Sequence, residues 1–220
     1  MLQQLTPVRI DFTIRTPMVV SSTAKHLDAL LSWAAVQKAE FQGHQNPISM
    51  QHEIGLAKHH VGRDWCFMAS HLHYDWIGEP EVVHYIKRSR LSDYSEAWGD
   101  GLFRKKPYFD GQRGVTKAGS YLQPIRWASK VSGFAIVQDM ECLKGLLPWI
   151  THIGKLHHKD FGAVSSAEVE VDVSAESEWS MRTLPIESSF ATRHAPAIGA
   201  LQSPYWMREE FKRVAAFCDA

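Results

Sequence analysis

The amino-acid sequence predicts an α+β fold of ferredoxin-like order, in which two βαβ-type halves share one sheet and a basic insertion separates them. Three observations predict it. Alternating apolar residues mark a strand at Val8 to Ile14 and another at Val169 to Val173, and helical spacing follows the first of them. The intervening stretches complete the order strand, helix, strand or strands, insertion, strand, helix, strand. Finally, Lys87 to Lys130 holds ten cations against four acids, although the formal charge of the 220-residue chain is +0.

In the first strand Val8, Ile10, Phe12 and Ile14 share one side, and Arg9, Asp11 and Thr13 the other. Pro17 ends it. Ser21, Ser22 and Thr23 offer N-cap oxygens to a helix from about Ala24 to Phe41, whose Leu27, Leu30, Leu31, Ala34 and Ala35 form the core face. Asp28 reads as a residue of the wet face. Ile48 to Gly62 is irregular, with turns at Gly55 and Gly62, and aromatic-rich Trp65 to Tyr74 reads as a second strand, with Glu81 to Ser89 as a third.

Between Lys87 and Lys130, Trp98, Tyr108 and five further aromatic residues interleave with the cations, and five glycines punctuate the stretch. Cations suit phosphates and flat rings suit unstacked bases, so residues 90–130 read as an inserted arm that grips RNA. Asp160 to Glu187 balances the charge with seven acids against the single cation Arg182. Val131 to Gln138 is a strand. Asp139 caps a short helix that turns Met140, Leu143, Leu146 and Leu147 inward, with Pro148 near its end. Residues 181–220 read as an irregular tail packed on the core or on a neighbouring subunit, with a short helix from Arg208 to Phe217. The whole of 1–220 is expected to be one domain.

The stretch Pro148 to Val173 leads from helix to loop to strand. Its loop opens on Gly154, closes on Gly162 and carries Lys155, His157, His158 and Lys159 between them. Glycine permits positive φ and close approach, and peptide N–H groups flanked by cations suit a phosphate oxygen. Composition is that of a globular protein, 45% hydrophobic and 22% charged. Three widely spaced cysteines in no CxxC pair suggest a reducing compartment. With neither a signal peptide nor an apolar run of about 20 residues, a soluble, cytoplasmic protein with no membrane contact is expected. The His71-Leu72-His73 pattern alone does not specify a metal. There is no GxxxxGK[ST], GxGxxG or GxSxG motif, which argues against an NTPase, a dinucleotide enzyme and an α/β-hydrolase.

Three places carry a resemblance. Thr16-Pro17 with Lys25-His26-Leu27-Asp28-Ala29-Leu30-Leu31-Ser32-Trp33-Ala34, Ile153-Gly154-Lys155 with Phe161-Gly162-Ala163-Val164, and Ser203-Pro204-Tyr205-Trp206 together resemble the RAMP-superfamily subunit that fills the Cas-five, guide-capping role in type IV CRISPR effector complexes. The resemblance implies an RRM/RAMP-like core with a thumb-like insertion, in a ribonucleoprotein of antiviral or plasmid interference. By it the chain binds the 5′ handle of a CRISPR RNA without cutting it and without a cofactor or metal. It contacts the backbone and large subunits, and meets target DNA only through the guide. The implied RNA-binding residues are Gly154, Lys155, Lys159 and Gly162 in the loop, Lys25 and His26 at the helix, and Arg88, Trp98, Arg104, Lys105, Lys106, Tyr108 and Arg113 in the arm. Asp160 stands where another glycine often precedes the aromatic-glycine pair, which favours Lys155 and Lys159 as phosphate ligands. The alternative is a metal-independent, guide-processing endoribonuclease using His26, His157 or His158 for proton transfer.

Overall fold

The computed structural model describes residues 5–21, 24–87, 99, 119–205 and 207–218. They fall into two compact units, 1–78 with 126–220, and 79–125. In the first unit, strand β1 (Thr6–Ile14) lies between β6 (Gly119–Val137) and β7 (Val164–Val171), antiparallel to both. The register sets Ile10 opposite Gly133 on one side and Val169 on the other. The two-residue strand β2 (Met18–Val19) and strand β5 (His73–Lys87) also pair with β6, and β7 ends the order. The molecule is thus mixed α and β with mainly antiparallel pairing.

The alternation of β1 decides what the sheet buries. Val8, Ile10 and Phe12 are wholly buried with Leu27, Leu31 and Ala34 of helix α1 (Leu27–Phe41) in one core. Gly133 permits this close packing, because a Cβ there would already stand 3.0 Å from Leu27 Cδ2. Helix α2 (Met140–Lys144) has the expected cap, with Cys142 N donating to Asp139 Oδ1 at 2.9 Å. Leu143 within it and Leu146 and Leu147 after it are buried.

Several expectations are corrected. α1 starts at Leu27, not Ala24, and its N-cap His26 makes no side-chain cap bond. Backbone pairing is the reason: Leu72 N donates to Lys25 O and Leu27 N to Ser70 O, which holds 25–26 extended beside 70–72. Instead of one strand at 65–74 there is a hairpin of β3 (Lys58–Val61) and β4 (Asp64–Phe67), then β5, which absorbs the separate strand expected at 81–89. The strand expected to run to Val173 ends at Val171, and Val171 and Val173 are each 70% exposed.

The C-terminal part is not an irregular tail. β8 (Leu184–Pro185), β10 (Lys212–Phe217) and β9 (His194–Gly199) form a three-stranded antiparallel sheet, preceded by helix α3 (Ala175–Glu178). The helix expected at 208–217 is a single 3-10 turn, Arg208–Glu210, followed by β10. Val214 and Ala215 are buried there with Trp179, Leu184 and Leu201, and tertiary burial overrides weak local preference.

The second unit holds the outer parts of β5 and β6, where Val82, Ile86, Tyr121 and Leu122 are exposed and His84 hydrogen-bonds Ser120. Residues 119–130 of the expected arm belong to β6. Arg88, Trp98, Arg104, Lys105, Lys106, Tyr108 and Arg113 lie outside the described residues.

Candidate nucleic-acid interface

The loop of 153–162 is tied at its base by its own backbone. Ile150 and Ile153 are buried, Val164 N donates to Thr151 O at 2.9 Å, and Ile153 N donates to Gly162 O at 2.8 Å. Gly162 has φ +67°, and a Cβ there would fall 2.0 Å from Ile153 O, so no side chain fits. Its N–H donates to Pro17 O at 2.9 Å. Thr16 completes the clamp: its Oγ1 donates to Asp160 O at 2.6 Å and accepts from Ala163 N at 2.8 Å. Gly162 thereby has a structural duty and no N–H left for a ligand. The Thr16-Pro17 pair, which the sequence offers only as part of a resemblance, is the other half of the loop's base.

Above that base the loop is shaped by positive φ at Gly154 (103°), Leu156 (59°) and Asp160 (61°), around a 3-10 turn at His157–Lys159. A non-glycine residue held there costs about 1–3 kcal/mol, which the clamp offsets. Among the described residues, no protein acceptor pairs with the N–H groups of Gly154, Lys155, Leu156, His157 and His158. Lys159 uses its N–H on Leu156 O. Lys155, His157, His158 and Lys159 are exposed. The Asp160 carboxylate is compensated, with Oδ1 3.1 Å from His152 Nε2 and 3.8 Å from an Arg15 nitrogen. His152 contributes this contact and was not among the expected site residues; its spacing of eight from Asp160 gives no sign of it.

A cleft of about 290 Å³ opens beside the loop, lined by Gly154, Lys25, Ser21, His73, Tyr74 and Trp76 among others. Tyr74 and Trp76 stack at 4.9 Å, and the Arg126 guanidinium stands 5.6 Å over the Trp76 ring. Burial pushes the Tyr74 phenol up to about 12. Lys25 has its pKa lowered, first by burial and then by the ammonium of Lys155, which comes from a segment 130 positions later.

His26 is placed elsewhere. It is buried, stacked on Tyr205 at 4.4 Å and edge-on to His71 at 4.5 Å. Burial, then Arg182 and His71, hold its pKa well below 6.5, so the ring is neutral. Its neighbours explain what the sequence missed. The fully buried Arg182 donates to Asp28 Oδ2 (3.2 Å), Phe67 O (2.7 Å), Ala69 O (3.2 Å), Thr183 O (3.0 Å), Leu201 O (2.9 Å) and Tyr205 OH (2.7 Å). Tyr205 OH donates in turn to Asp28 Oδ2 at 2.6 Å. Asp28 is therefore wholly buried, not on the wet face, because Arg182 pays its desolvation.

Fold and site together define a class: an α+β protein of antiparallel sheets with a clamped, cation-bearing glycine loop beside a half-enclosed aromatic cleft. Residues 6–217 match the family described as "CRISPR type IV associated protein Csf3", and the chain belongs to that family. Among solved structures it is similar to a chain in "Cryo-EM structure of the Type III-B Cmr-beta bound to cognate target RNA", with 10% identity, a TM-score of 0.38, 75% of this chain covered and 60% of that one. A likeness this remote transfers no function. The comparison with curated proteins found no match. Among the described residues no helix is long and apolar enough to cross a membrane, and no cluster of three metal-binding side chains occurs.

Proposed function

We propose that this chain is the RNA-binding, guide-capping subunit of a type IV CRISPR effector complex, and that it holds the 5′ handle of the guide without cleaving it. The observation that carries this reading is a loop whose successive N–H groups find no acceptor among the described residues, with exposed Lys155 on it and Lys25 lining the cleft beside Gly154. Cations beside unsatisfied donors favour an anion with several oxygens, and a phosphodiester chain supplies one at each step. The cleft with Tyr74 and Trp76 suits a splayed base, and exposed Lys159 adds charge at the far end of the loop. In this reading β5-β6-β1-β7 is a ferredoxin-like sheet, residues 1–220 are one RAMP-like domain, and the basic arm at 90–130 adds grip through Arg104, Lys105 and Lys106.

The neutral, buried state of His26 supports binding over its use as a proton shuttle. The test is a filter-binding titration of handle RNA against salt, with cleavage followed in EDTA. Lys155→Glu is expected to weaken binding at least tenfold and to lower the salt slope by about 1, with no RNA cut by either protein. Unchanged affinity and slope would remove the loop from the interface. Cleavage abolished by His157→Ala or His158→Ala would establish the nuclease instead.

A further inference from the structure

The edge strand β7 has a free side whose direction the hydrogen bonds fix. Asp172 N donates to Pro7 O, so in an antiparallel ladder Glu170 and Glu168 also turn their peptide groups toward β1, and Val171, Val169 and Ala167 turn theirs away. Val164 N, on that outer side, is already taken by Thr151 O. Farther along, no acceptor among the described residues pairs with the N–H groups of Ala167, Val169 and Val171. A groove of about 430 Å³ runs beside this edge, with Leu147, Pro148 and Ile150 on one side and Val164, Ala167 and Val169 on the other supplying its apolar lining, and Lys144, Thr151, Ser165 and Ser166 also lining it. On the opposite face of the strand the side chains are acidic: Glu168 is exposed, and Glu170, also exposed, pairs with Arg9 of β1 at 2.8 Å.

We propose that this edge is a docking site for an extended strand of a partner polypeptide in which apolar and basic side chains alternate. Each feature sets one part of the occupant. The outward peptide groups take a backbone by strand addition. Because successive side chains of a strand alternate in direction, one set enters the apolar groove while the other lies over Glu168 and Glu170. Charge complementarity makes that second set Lys or Arg. A second copy of this chain fits poorly, since β7 against β7 would bring the two acidic rows together. The same acids make RNA an unsuitable occupant, so this surface is independent of the guide-binding reading.

The experiment uses the full chain and, as probe, a blocked octapeptide of alternating valine and lysine, with alternating valine and glutamate as control. In the free protein, the amides of Ala167, Val169 and Val171 are expected to exchange with solvent faster than those of Glu168 and Glu170. The lysine peptide slows them at least about tenfold while the glutamate peptide does not. Glu168→Lys, which leaves ladder and groove intact, weakens the lysine peptide by about fivefold or more. Val169→Pro deletes an outward N–H and abolishes binding. The proposal is overturned if the three amides are already protected in the free chain, if neither peptide slows them, or if both peptides slow them alike. Unchanged affinity in Glu168→Lys, or protection of these amides by handle RNA instead, also overturns it. Should Val169→Pro fail to fold, the Glu168→Lys result decides.

Discussion

The loop at 153–162 and the Arg182 cluster both gather cations and polar backbone, yet they are opposites. Around Arg182 each guanidinium nitrogen finds an acceptor, the partners come from α1, from β4 and the residues just after it, and from the connections flanking the C-terminal strands, and the group is sealed. In the loop, the N–H groups of residues 154–158 find no acceptor among the described residues, and Lys155 is exposed. What separates a structural cation from a binding one here is therefore whether the protein has already supplied its partners. Charge and sequence position do not distinguish the two.

Arg182→Met is the severest test of that contrast. It strands the buried Asp28 carboxylate and is expected to cost about 3–5 kcal/mol in denaturant unfolding, whereas the double variant Arg182→Met with Asp28→Asn regains much of the loss. A small cost for the single variant would mean that the cluster is not sealed. Gly162→Ala comes next, at about 2 kcal/mol or more, from positive φ and the clash with Ile153 O. It should reduce affinity for handle RNA as well, since it disturbs the base on which the donors stand; lost stability with unchanged affinity would separate base from interface.

The smallest effect is a pH dependence. The folded pKa of His26 is depressed, so below about 6.5 the unfolded chain takes up a proton that the folded chain refuses. Stability then falls by about 1.4 kcal/mol per pH unit until the folded pKa is reached. His52 and His59, lowered mainly by burial, act in the same direction. His26→Phe should flatten the decline relative to the parent in urea titrations at pH 5–7. An unaltered slope would show that His26 is not the buried neutral group.

The sequence made legible what depends on neighbours within a turn or a strand. The apolar faces of β1 and α1 follow from period alone, and Asp139 as a cap follows from its place before Met140. Asp28 was misread because its partner Arg182 lies 154 positions away, and an isolated acid in a helix is ordinarily solvated. β10 was misread as a helix because six residues carry too short a pattern, and its pairing with β8 and β9 decides its form. In the candidate site the loop's glycines and lysines were visible as types. That Gly162 serves the base and that Thr16 clamps it depend on two segments about 140 residues apart meeting, and that His152 faces Asp160 depends on how the loop between them turns.

The separation between Asp28 and Arg182 also sets a timetable for synthesis. At ribosomal speeds of about 5–20 residues per second, the helix that carries the acid waits about 10–30 s before the residue that neutralises it is made. During that interval the nascent chain cannot bury α1 in its final place without stranding a carboxylate. The apolar residues of β1 and α1 stay available to chaperones until the last third of the protein has emerged.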